Sequence, residues 1–125
     1  IRGNAMTAPN IAGLTTVTGK SVGVAVGTSA TDLVANAASS NKVFKINSVI
    51  VSNIDGSTAA SVDVILQKAG ANNFNLTKNI DVPAETTLVV VSKETQIYLE
   101  ENDKITVTAS AAGDLQAICS YEEIS

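Results

Sequence analysis

The chain has 125 residues, 45% of them hydrophobic but only 3% aromatic, with no Trp; that is one domain, whose single core must come from Val, Ile, Leu and Ala. The net charge is −4 and the eight basic residues are scattered singly, which excludes the concentrated basic face that phosphate binding needs. No apolar run approaches the roughly 20 residues of a membrane span, and the 16% of charged residues falls below the roughly 25% of ordinary soluble domains, a composition suited to surfaces that end against other protein.

Residues 1–20 hold no sustained period and are broken by Gly3, Pro9, Gly13 and Gly19. They read as an extended N-terminal arm with a short strand at 14–17, ahead of a domain over 21–125. The opening Arg2-Gly3-Asn4-Ala5 lacks the apolar segment of a secretion signal. Alone, such an arm buries too little surface to be ordered. A neighbouring subunit is expected to order it, with Ile1, Arg2, Pro9, Ile11, Leu14 and Val17 as the partner-binding residues.

From Ser21 onward, apolar residues recur at every second position. Val22, Val24 and Val26 mark a first strand, and Leu33 with Val34 a short second one over Thr31–Asn36. Lys42–Asn53 is the longest strand; its apolar phase shifts between Ile46 and Val49, which means either a bulge near Asn47-Ser48 or burial on both faces. Asn53-Ile54-Asp55-Gly56-Ser57 follows, and Asp-Gly between two β-type runs predicts a hairpin to Ala60–Lys68. Phe74, Leu76 and Ile80 extend a strand to about Val82, where Pro83 stops it. Thr86–Val91 is β-branched. Gln96–Ser110 reads as a half-buried hairpin: Ile97 and Leu99, then a polar turn Glu101-Asn102-Asp103, then Ile105, Val107 and Ala109. The last strand is expected over Leu115–Tyr121, with Glu122-Glu123-Ile124-Ser125 as a tail. Ala30–Ser40 is the sole helical candidate and holds no clean helical stripe. About eight short antiparallel strands at 8–12-residue spacing predict an all-β sandwich of jelly-roll or immunoglobulin-like type.

Reactive constellations are missing from the pattern. The chain has no His, which removes the usual base of nucleophilic triads and the commonest metal ligand. Cys119 is the sole cysteine and alternates with Leu115, Ala117 and Tyr121, as a small core residue does. Glu100, Glu101 and Asp103 cluster on one turn, where solvation would leave them without the contrast an acid/base pair requires. Asn53, Asp55 and Ser57 have the alternate spacing of a calcium loop, but one carboxylate is too few for a strong site. No catalytic, metal or cofactor residue is therefore expected.

Several segments resemble those of small structural proteins from the virions of tailed bacteriophages, of marine and cyanobacterial type. In that family a strand like Lys42–Asn53 ends in Asn-x-Asp-Gly-Ser/Thr, matched here by Asn53-Ile54-Asp55-Gly56-Ser57. Pro83-Ala84-Glu85-Thr86-Thr87-Leu88 is similar to its Pro-x-x-Thr-Thr-Leu edge, Leu99-Glu100-Glu101-Asn102-Asp103-Lys104-Ile105 to its Leu-x-x-Gly-Asp-x-Ile turn, and Ser120-Tyr121-Glu122-Glu123-Ile124 to its terminal segment. The chain departs at Asn102, where the family mostly has Gly; Asn also tolerates left-handed backbone. The resemblance spans about residues 42–125 and implies a non-enzymatic virion component at the particle surface, a capsid decoration or cement protein. Its partners would be other virion proteins, the major capsid protein first, and copies of itself. A neck, tail or fibre-base position is the near alternative. A secreted carbohydrate-binding module, or an enzyme with a glycosidase-like carboxylate pair, is the alternative of another class.

Overall fold

The computed structural model of the chain describes Gly13 and residues 16–125. Nine strands follow in order: β1 (Val17–Val26), β2 (Thr31–Ala35), β3 (Val43–Asn53), β4 (Ala60–Lys68), β5 (Asn72–Val82), β6 (Thr87–Val91), β7 (Ile97–Leu99), β8 (Lys104–Ala109) and β9 (Leu115–Ile124). They form two sheets. The first runs β1-β9-β3-β6, with β7 also on β3; the second runs β2-β8-β4-β5. Every pairing is antiparallel.

The pairing order is that of a long hairpin rolled up on itself. β4 pairs with β5 at the bend, β3 with β6 and β7, β2 with β8, and β1 with β9. Closure then places β9 beside β3 and β8 beside β4. This is a jelly roll, the expected all-β sandwich. β6 and β7 occupy one edge of β3, opposite Val49–Ser52 and Phe44–Ile46. Between them lies a single 3-10 turn, Lys93–Thr95, closed by a Ser92/Thr95 capping box.

The core lies between the sheets and is almost wholly aliphatic. Ile46, Val49 and Val51 of β3 meet Val62 and Val64 of β4, Ile105 and Val107 of β8, and Leu99 of β7, all fully buried. β-branched residues suit these positions because they pack well on a pleated surface. Phe44 and Tyr121 meet in a tilted ring contact, centroids 5.0 Å apart, at the margin of this core.

Two expected hairpins prove to be crossings. The loop after Asn53 carries the chain from β3 in the first sheet to β4 in the second, and the Glu101-Asn102-Asp103 turn carries it from β7 to β8 across the same gap. Alternation places a strand's apolar face on a core, yet two strands facing each other across that core show the same pattern as two neighbours. Asn102 does adopt left-handed backbone, φ 69°. The phase shift in β3 is a bulge: Ile46 pairs with Tyr121 and Ser48 with Ser120, leaving Asn47 extra. The ends differ as well. β1 begins at Val17, so residues 17–20 of the expected arm are strand, and β9 continues to the buried Ile124, so Glu122 and Glu123 are no tail. Of the six arm residues assigned to a partner, Val17 is described, 49% exposed at the start of β1; Ile1, Arg2, Pro9, Ile11 and Leu14 lie outside the described residues.

Candidate docking face

Outward-facing residues differ sharply between the two sheets. On the first sheet, register aligns them in rows across four strands. Gly23 of β1 stands beside Ile118 of β9, Ile118 beside Ile50 of β3, and Ile50 beside Val89 of β6. Ile118 is 43% and Val89 59% exposed, so this row is an apolar stripe open to solvent. The rows on either side are small and neutral: Ser21, Ser120 and Ser48 below, Ala25, Gln116, Ser52 and Thr87 above. Among the described residues of these strands, charge enters this face at Lys45 and Glu122, register partners across β3 and β9.

β1 shapes the edge of this surface. Its outward positions are Val17, Gly19, Ser21, Gly23 and Ala25, none with a long side chain. Beside Gly23 the missing side chain leaves an open groove of about 300 Å³, lined by Gly23, Val24, Ala25, Gln116, Ala117 and Ile118. Glycine inside a strand marks a place where another backbone can come close. Among the described residues β1 is also an edge strand, bonded on one side to β9, so backbone groups on its other side face outward.

The second sheet, where β5 also exposes Phe74 and Ile80 at 58% and 42%, carries more charge outward. Asp32, Asp63 and Asp81 point outward from β2, β4 and β5, with Lys104 of β8 holding Asp32 at 3.1 Å. Such a face stays hydrated.

Polar residues inside the molecule are locks. Asp103, expected on a solvated turn, is 3% exposed. Its Oδ1 accepts from the Ala69 amide at 2.9 Å, and its Oδ2 from the Glu100 amide at 2.9 Å and from Lys68 Nζ at 2.6 Å. The β4–β5 bend is thereby tied to the β7–β8 crossing. Asp103 first and Glu100 second raise the Lys68 ammonium above its usual pKa. Asn36, also buried, donates through Nδ2 to the carbonyls of Lys42 and Leu99 and accepts from Ser40 Oγ through Oδ1. Asn53 does the same at the other crossing, donating to the Thr58 and Val82 carbonyls. Sequence reasoning missed all three. The available signal was that each sits at or beside a chain crossing, where backbone groups leave their sheet and need side-chain partners.

The remaining candidates for chemistry are occupied by structure. Asp55 Oδ2 accepts from the Ser57 and Thr58 amides and the Ser57 hydroxyl, donors that lower its pKa and shape a turn around it. Glu123 bridges Lys20 at 3.0 Å and Lys42 at 3.2 Å; burial alone would raise its pKa, but the two lysines outweigh that and hold it below the usual value. Cys119 is fully buried, and burial pushes its thiol up to about 12. Among the described residues no three His, Cys, Asp or Glu side chains converge as a metal site, and no buried side-chain polar atom lacks a partner.

No protein-family model matches the chain, and no curated protein does. Among solved structures, a chain from Bacillus endospore appendages, described as a novel family of disulfide-linked pili, superposes with a TM-score of 0.54 at 13% identity over 94% of each chain. That likeness concerns the fold. A disulfide link finds no accessible partner here, because the single cysteine is in the core.

Proposed function

We propose that this chain is a non-enzymatic structural subunit that works by fitting against other proteins in a multi-copy assembly, and that the assembly is a phage virion, with the chain as a decoration or cement protein on the capsid. The observation that carries the reading is the neutral outer face of the first sheet with its exposed Ile118–Ile50–Val89 row. An exposed apolar stripe bordered by uncharged small residues can be dried by a partner without stranding a charge. The virion assignment rests on the motif resemblance over residues 42–125. Mixing the full chain with purified phage particles and imaging them tests it: decoration predicts copies in icosahedral register on the head. Ile118→Asp should abolish retention with stability changed by no more than about 0.5 kcal/mol. Undiminished retention by that variant, or glycan binding by the free domain, would overturn the reading.

The fold shared with a pilus subunit favours a second reading, self-polymerisation into a fibre. The chain alone at high concentration separates the two: fibres without any particle present support the pilus-like reading.

A further inference from the structure

We infer that the neutral outer face of β1, β9, β3 and β6 is the seat of the N-terminal segment, residues 1–15, of a second copy of this chain. This rests on the multi-copy reading above and names the partner of that face. Three observations carry it. The first is charge. From Gly3 to Thr15 the segment has no ionisable side chain, and it offers Met6, Ile11 and Leu14 among small residues. That stretch matches a face whose central rows carry no charge; Arg2 is the one charged side chain in residues 1–15.

The second is direction. Thr16 and Ser125 exchange two backbone hydrogen bonds, each 2.9 Å, which continue the β1–β9 ladder beyond Val17. Thr16 therefore lies past the Val17 end of β1, the end away from Gly23. To lie on the Gly23 row of its own copy the segment would have to double back over β1, which a seat on a second copy does not require. The third is reach and room. Fifteen residues span up to about 50 Å extended, more than twice the width of the four-strand face, about 19 Å at ~4.8 Å per strand. The groove beside Gly23 leaves room for a backbone over the β1–β9 pair, where Ile118 offers an apolar contact, and the edge of β1 away from β9 is open to strand addition among the described residues.

Cysteine trapping in the full chain tests this. One chain carries Ile118→Cys; a second, of distinguishable mass, carries Met6→Cys, Ile11→Cys or Leu14→Cys. Cys119 is buried and does not compete. Mixing under mild oxidation should give a covalent pair of unlike chains, in about tenfold higher yield than with Asn75→Cys, which places the thiol on the outer face of the second sheet, the ratio set by one tenfold step in affinity. Equal yields at Ile118 and Asn75, or no cross-linked pair, overturn the inference. So does an intrachain bond formed in preference by a chain bearing both cysteines, which would seat the arm on its own copy. If copies assemble on particles, or with each other, while no arm position traps at Ile118, this inference falls and the multi-copy reading stands. If they do not assemble at all, both fall.

Discussion

Replacing Asp103 by Ala should be the most costly single change in any turn of this protein. The carboxylate accepts two amide donors, Ala69 and Glu100, each at 2.9 Å, in a residue 3% exposed. Truncation strands both amides, at about 1–3 kcal/mol each. The Lys68 contact adds little to that total, because the Lys68 side chain is 33% exposed and its ammonium can return to water. A loss of about 3–4 kcal/mol is expected overall. For 125 residues, at about 2.1 cal/mol/K per residue, 3 kcal/mol lowers Tm by about 11 °C. Lys68→Met, which keeps both amide bonds, should cost only about 1 kcal/mol. Urea unfolding of the wild type and the two variants measures this directly. If Asp103→Ala stays within about 1 kcal/mol of wild type, or Lys68→Met proves the costlier of the two, the amides are not what the carboxylate serves and the reasoning is refuted.

Three further outcomes are expected. Glu123→Gln should cost under about 1 kcal/mol at neutral pH, since Lys20 and Lys42 are 44% and 40% exposed. The Glu123 pKa is lowered on folding, so its contribution is present above the unfolded value of about 4.3 and is lost as pH falls through the folded one; the gap between variant and wild type in urea midpoint should close below that value. Gly23→Ala should stabilise the fold by about 0.5–1 kcal/mol, because the added Cβ meets only Ala117 O at 3.6 Å and Ile118 Cγ1 at 3.7 Å, while partly filling the groove and weakening docking in a binding titration. Cys119 should resist maleimide in the native protein and label only at the rate of unfolding, since burial holds the thiol at about 12.

Period-two alternation located the strands well because the core is aliphatic and one face of nearly every strand is buried. It failed on connectivity. Asp55-Gly56 and Asn102-Asp103 carry ordinary turn chemistry, which is local, whereas the choice between hairpin and crossing is decided by which strand lies beside β4 or β8, a contact far away in sequence. Asp103, Asn36 and Asn53 were missed because polar residues in turns are usually solvated; here the crossings bring the turns inward. The docking stripe could not be read from the sequence. Alternation already sets Ile118 opposite Leu115, Ala117 and Cys119, but Ile50 falls at an outward position only once the Asn47 bulge is known, and its place between Ile118 and Val89 only once the register is.

The size of the face constrains how it can be used. Four strands at ~4.8 Å by about five residues at ~3.3 Å give about 300 Å² on each copy, against the roughly 800 Å² per partner of a standard stable interface. Flat contact through this face alone is too small to hold two free copies together. An arm from a neighbour changes that balance, since an extended segment buries both its own sides and the groove it fills, and it adds backbone bonds along β1. Each junction would still be modest, and strength would come from number: copies fixed on a common surface or in a row hold one another at a high effective concentration. On the proposed reading, a stripe bordered by small neutral residues, with Asp32, Asp63 and Asp81 on the sheet behind it, would suit lateral linkage between fixed neighbours.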